Sequence, residues 1–178
     1  MTPEHEGLVE RSRRIGLCAE LCRMGARSAV AADLLGLPRR LAIQVYREVT
    51  GAAGPPRGRT PQSLEWFFES HRRRAQASHL ALFIDAARTA LIPGERLLAA
   101  YRSYRALHPG SVIDINRAAA LLEGLSRGGV MLGSCEACAA RVISTGEPRV
   151  YGAECPFCRG EGGEHQTANA RLPQAASA

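Results

Sequence analysis

Lysine is absent from this sequence: all 23 basic residues are arginine, so any grip on phosphate must come from guanidinium groups or neutral donors. Long apolar runs are absent too. None approaches the ~20 residues that a bilayer-spanning helix needs, which excludes a helical membrane protein. Aromatic residues make up only 5% of the chain against 46% hydrophobic overall, which predicts a core of alanine and leucine and hence a mainly α fold. Residues 1–10 hold three glutamates and no apolar core of a signal peptide, so a cytoplasmic location is expected. No Ser-His-Asp or Cys-His arrangement is evident, and a non-enzymatic protein follows.

What is present is a lopsided charge. The 178 residues carry a net charge of +6, and the pI is near 9.4. Between Arg11 and Arg74 there are 13 arginines against five acids (Glu20, Asp33, Glu48, Glu65, Glu69), whereas ten arginines face nine acids from Ala75 onward. Positive charge concentrated in one part of a chain favours a polyanion, most commonly nucleic acid; a solvated basic face is the plainer reading.

The sharpest local signal is a C-x2-C-x16-C-x2-C array formed by Cys135, Cys138, Cys155 and Cys158. Two short knuckles at this spacing place four thiolates around one Zn2+. The alternative, a pair of disulfides, requires an oxidising compartment that the sequence does not suggest. Four protein ligands leave no open position to activate water, so the single zinc per chain is expected to be structural. Between the pairs, Arg141, Val142 and Ile143 read as a strand, 145–148 as a turn and Arg149, Val150 and Tyr151 as a returning strand, which predicts a zinc-ribbon-like hairpin.

Upstream, residues 8–24 show helical periodicity, with Cys18 and Cys22 on one face as buried thiols. Residues 26–48 match a helix-turn-helix pattern. Ala32 permits close approach, Gly36 makes the turn, Leu37 anchors it, and Leu35, Ala42 and Val45 form the packing face. The second helix, from Pro38 to about Val49, would present Arg39, Arg40, Gln44 and Arg47 outward, residue types able to read bases or grip phosphate. An ordinary helical hairpin with solvated arginines is the competing reading. Arg27, ahead of the first helix, and Arg57 and Arg59 in a Gly- and Pro-rich loop (50–61) complete the candidate DNA contacts. Ser63 is expected to cap a helix anchored by Trp66 and Phe67, with His71, Arg72, Arg73 and Arg74 on its polar side. His71 and His79 read as surface or boundary residues. Further helices are expected at 76–90, 94–107 and 113–126, with Pro-Gly breaks between them. The predicted organisation is a helical part (1–129), a four-cysteine zinc module (130–160) and a disordered tail (161–178).

Taken in order, the stretch 20–27, residues 39–48, the Gly54-to-Gly58 loop leading to Pro61, then Ser63 with Trp66 and Phe67, and finally the four cysteines resemble FlhC, a flagellar transcriptional activator subunit. The resemblance spans about Leu8 to Cys158. It implies a bacterial regulator that assembles with FlhD as four D and two C subunits, binds promoter DNA and activates flagellar operons through RNA polymerase. It also implies one zinc held by Cys135, Cys138, Cys155 and Cys158. Only Arg159 and Arg171 are basic beyond the last cysteine, a departure from family members with a basic tail. The alternative function is a zinc-containing helical scaffold that docks proteins without touching DNA.

Overall fold

The computed structural model describes residues 7–145, apart from 57, 59 and 91, together with residues 155–158. Six helices are followed by a two-stranded antiparallel sheet: α1 (Leu8–Arg23), α2 (Ser28–Leu35), α3 (Arg39–Thr50), α4 (His71–Ala86), α5 (Pro93–Leu107), α6 (Ile115–Ser126), β1 (Met131–Ser134) and β2 (Arg141–Ser144). The mainly α expectation therefore holds among the described residues.

The helices α1, α2 and α3 pack on one another. Cys18, Leu21 and Cys22 of α1, Ala31, Ala32 and Leu35 of α2, and Ala42 and Val45 of α3 are all buried. Burial of apolar side chains at i, i+3 and i+4 spacing is what holds such short helices in place, since alone they would be marginal in water. The turn between α2 and α3 depends on one backbone conformation. Gly36 has φ of 63°, a left-handed geometry that a Cβ disfavours, and Leu37 N–H donates to the Ala32 carbonyl at 3.0 Å. The Cys18 thiol is held above its ordinary pKa by its contact with Cys22 and by burial, as expected of core thiols.

Asn116 ties this trio to the rest. Its side chain accepts from Arg27 N–H at 2.9 Å and donates to the Gly25 carbonyl at 3.0 Å, so the α1–α2 connection is clamped to α6 without an unsatisfied polar group. The α6 start is capped by Asp114, which accepts from the backbone N–H groups of Asn116 and Arg117. α4 and α5 pack together and contact α6. Phe67, Leu80, Ile84, Leu97, Tyr104 and Leu121 fill the space among them.

Two sequence expectations need correction here. Ser63 does not cap a helix: Glu65–Phe67 is a single 3-10 turn, and the helix begins at His71, with Ser70 accepting from Arg73 N–H at 3.2 Å. The physical reason is the aromatic cluster. Phe67 is fully buried, and Trp66 lies under the guanidinium groups of Arg73 (4.4 Å) and Arg117 (3.7 Å), which pins the turn beneath α4 rather than continuing it. The expected helix at 76–90 therefore starts earlier, at His71, and ends at Ala86. The second correction concerns the strands. Arg141–Ser144 is a strand as expected, but its described partner is Met131–Ser134, in register Leu132 to Ile143 and Ser134 to Arg141. The expected returning strand (149–151) and tail (161–178) lie outside the described residues.

Candidate metal centre and arginine face

The β1–β2 register sets the first knuckle. Because Ser134 pairs with Arg141, residues 135–140 must turn back within one tight loop, and Cys135 N–H donates to the Ala140 carbonyl at 2.9 Å to close it. Ala139 N–H donates to the Cys135 carbonyl, also at 2.9 Å, with Ala139 itself left-handed at φ of 58°. The turn aims backbone N–H groups of Cys138 and Ala137 at the Cys135 sulfur, which lowers its pKa to about 7. In the second knuckle Phe157 N–H points at the Cys155 sulfur, 3.4 Å away.

The four sulfurs converge. Cys135 and Cys158 are 3.8 Å apart, Cys138 and Cys155 3.7 Å apart, and all four lie within 4.8 Å of one another. A tetrahedron with metal–sulfur bonds of about 2.3 Å has edges of about 3.8 Å, so the cage has the size for one ion. The separations exclude S–S bonds, which are about 2.05 Å long, and all four cysteines are free. The Cys158 thiol is pushed up to about 12 by the Cys138 sulfur, by desolvation and by the sulfurs of Cys135 and Cys155. This donor set suits a soft or borderline divalent ion and leaves no ligand position for substrate.

The cage is fastened to α4 by two segments. Ile143 of β2, fully buried, donates its N–H to Ser78 Oγ at 3.0 Å and accepts from Arg74 Nε at 3.1 Å. Phe157 stacks on His79, with ring centroids 5.2 Å apart, and His79 stacks in turn on His108. Arg141 faces Asp85 at 3.7 Å. Val130 and Ile143 join the same buried cluster as the helices.

The candidate DNA contacts fall into three groups. Arg40, Gln44 and Arg47 are exposed and lie within about 60° on the helical wheel, opposite buried Ala42 and Val45. Arg40 and Arg47 have no side-chain partner among the described residues, whereas Gln44 donates to Glu48 at 3.0 Å. Arg39 is off this stripe, paired with Asp33 at 3.0 Å, and half-buried Arg27 donates to the Gly58 carbonyl at 2.6 Å. Arg57 and Arg59 lie outside the described residues.

A family model described as flagellar transcriptional activator (FlhC) matches residues 4–170. The flagellar transcriptional regulator FlhC of Cupriavidus necator is 30% identical over 159 residues, covering 86% of this chain and 77% of that protein. That of Serratia marcescens is 26% identical over 164 residues (86% and 82%), and that of Cupriavidus pinatubonensis 30% over 149 (80% and 70%). The chain belongs to the FlhC family. It is accordingly a flagellar transcriptional regulator by family, not an enzyme. None of its described helices is long and apolar enough to cross a membrane.

The part of this FlhC chain that sequence reasoning missed is the seat of the cage. Arg74, expected on a polar face with Arg72 and Arg73, is buried, 8% exposed. The three arginines diverge because consecutive helical residues point about 100° apart: Arg72 faces solvent, Arg73 covers Trp66 and Arg74 turns inward. A signal existed. Arg74 shares the i, i+3, i+7 and i+10 stripe with Ala77, Ala81 and Ile84, which becomes visible once the helix is started at His71.

Proposed function

We propose that this FlhC chain is the promoter-binding subunit of a hetero-oligomer with FlhD, four D and two C subunits, that activates flagellar operons through RNA polymerase. The observation that carries the reading is the outward stripe of Arg40, Gln44 and Arg47 on α3, set against a buried face braced by α1 and α2. Helices α2 and α3, joined by the turn at 36–38, serve in it as a helix-turn-helix, with α3 as the element that meets the major groove. Arg40 and Arg47, free of intramolecular partners among the described residues, carry the phosphate or guanine contacts; Arg39 and Arg27 have to exchange an existing partner to take part.

Zinc is the ion the cage takes, bound by Cys135, Cys138, Cys155 and Cys158 as a structural centre. Its role is to lock the 130–160 module on the helical part (1–129). Zinc–thiolate bonding at a site of this kind supplies on the order of 10 kcal/mol of folding free energy, far more than the two-stranded ribbon could supply alone.

The test is binding to a flagellar promoter fragment, measured with and without FlhD across a salt series. Affinity should fall steeply with salt as arginines displace counterions. Arg40→Ala and Arg47→Ala should each weaken binding and reduce the logarithmic salt slope by about 1 where the side chain grips phosphate. Unchanged affinity and slope in both variants would remove α3 as the recognition element, and binding of FlhD without any shift of DNA would favour the scaffold reading.

A further inference from the structure

Two guanidinium groups lie over the ring of Trp66: the carbon of Arg73 is 4.4 Å and that of Arg117 3.7 Å from the ring centre. An aromatic face holds a guanidinium through its charge and its flat side, and does not use up its five N–H donors. Arg73 donates to Glu69. Arg117 makes no side-chain hydrogen bond or ion pair with a described residue, and neither does exposed Arg72, the neighbour of Arg73. Asp114, three residues before Arg117, spends its carboxylate on the backbone N–H groups of Asn116 and Arg117.

These arginines work against the stability of the helices that carry them. Arg72 and Arg73 stand in the first turn of α4 and Arg117 in the first turn of α6, and neither turn holds an acid. A cation there opposes the helix dipole, whose positive end attracts anions. Arg27 extends the same surface. Its backbone N–H meets Asn116, the residue before Arg117, and its guanidinium donates to a neutral group, the Gly58 carbonyl. Guanidinium groups held on an aromatic support, with donors to spare and no counter-charge on Arg72 or Arg117 among the described residues, suit phosphate oxygens, which they can grip bidentately. We propose that Arg72, Arg73 and Arg117, assembled around Trp66, form a second DNA-binding surface that holds the phosphate backbone irrespective of base sequence. α3 packs on α1 and α2, whereas this surface belongs to α4 and α6, so the two can be disabled separately. The inference rests on the reading of the chain as a promoter-binding subunit. It adds a contact of electrostatic character, built on a different part of the fold.

The experiment is DNA binding by the full chain assembled with FlhD, followed by fluorescence anisotropy across a salt series. One probe is a flagellar promoter fragment, the other a scrambled fragment of the same length. Arg72→Gln and Arg117→Gln should each weaken binding to both probes by the same factor and reduce the logarithmic salt slope by about 1. Their deficit against the wild type should therefore shrink roughly three- to fourfold between about 50 and 200 mM salt. Arg72→Lys and Arg117→Lys keep the charge and should keep the slope; a slope lost in them too would overturn the inference. Unchanged affinity and slope in both Gln variants, with losses only in Arg40→Ala and Arg47→Ala, would overturn this surface and spare α3. The reverse pattern would remove α3 as the recognition element and support this surface. A loss confined to the promoter fragment, or weaker assembly with FlhD at unchanged DNA affinity, would also overturn it, the first as base reading and the second as a protein contact. If Arg117→Gln does not fold, the exposed Arg72 decides by the same criterion. A wild type that binds neither fragment would sink the promoter reading itself, and this inference with it.

Discussion

Replacing Ala139 by glycine should stabilise this protein, although alanine to glycine normally destabilises. Ala139 follows the second cysteine of the first knuckle with φ of 58°, held there by its N–H bond to the Cys135 carbonyl and by the adjoining Cys135 bond to Ala140. A left-handed backbone brings Cβ against the following carbonyl at a cost of roughly 1–2 kcal/mol. Glycine removes that clash but loses more conformational freedom on folding, roughly 0.5–1 kcal/mol. The difference leaves a net gain of about 0.5–1 kcal/mol. For a chain of this length that is a rise in Tm of about 1–4 °C. A β-branched residue is worse than alanine in this geometry, so Ala139→Val should lose at least about 1 kcal/mol. Thermal unfolding of the zinc-loaded proteins measures both. The reasoning fails if Ala139→Gly is neutral or less stable than wild type, or if Ala139→Val matches it.

Ser78→Ala leaves the buried Ile143 N–H without its acceptor, which costs about 1–3 kcal/mol and should lower Tm by several degrees; an unchanged Tm would mean that β2 does not dock as described. Metal removal by a chelator should release the amides of 131–134 and 141–144 to hydrogen exchange while those of α1 to α3 keep their protection, because the ribbon depends on the cage and the three-helix packing does not. Equal loss in both regions would contradict that division. Burial, and then His108, hold the His79 pKa below its ordinary 6.5. The unfolded chain therefore takes up a proton first as pH falls, and stability contributed by neutral His79 is present above pH 6.5 and lost as pH drops towards its depressed value. His79→Phe keeps a ring against Phe157 and should flatten that part of the stability profile; an unaltered slope below 6.5 would show that His79 takes no part.

Features set by local chemistry were legible without coordinates. The four cysteines announced themselves by spacing, Gly36 by its place between two apolar-patterned segments, and Pro93 as the break ahead of α5, although it is itself the first residue of that helix. Buried Leu35, Leu37, Ala42 and Val45 were readable for the same reason. Features set by tertiary packing were not. Met131–Ser134 contains a glycine and alternates poorly, so nothing in it marked a strand; only pairing with Arg141–Ser144 makes it one. Ser63 and Ser70 are equally plausible caps in isolation, and burial of Phe67 decides between them. Arg74 was hidden in a run of four cationic or titratable residues that reads as solvated, although its contacts lie almost seventy residues downstream.

The most direct measurement is X-ray absorption at the zinc edge on freshly purified, reduced protein, with metal content determined on the same sample. One zinc per chain surrounded by four sulfurs at about 2.3 Å is the result expected from sulfurs spaced 3.7 and 3.8 Å apart. A shell containing nitrogen or oxygen, or protein that carries no metal while remaining folded over 131–144, would contradict the cage on which the ribbon depends.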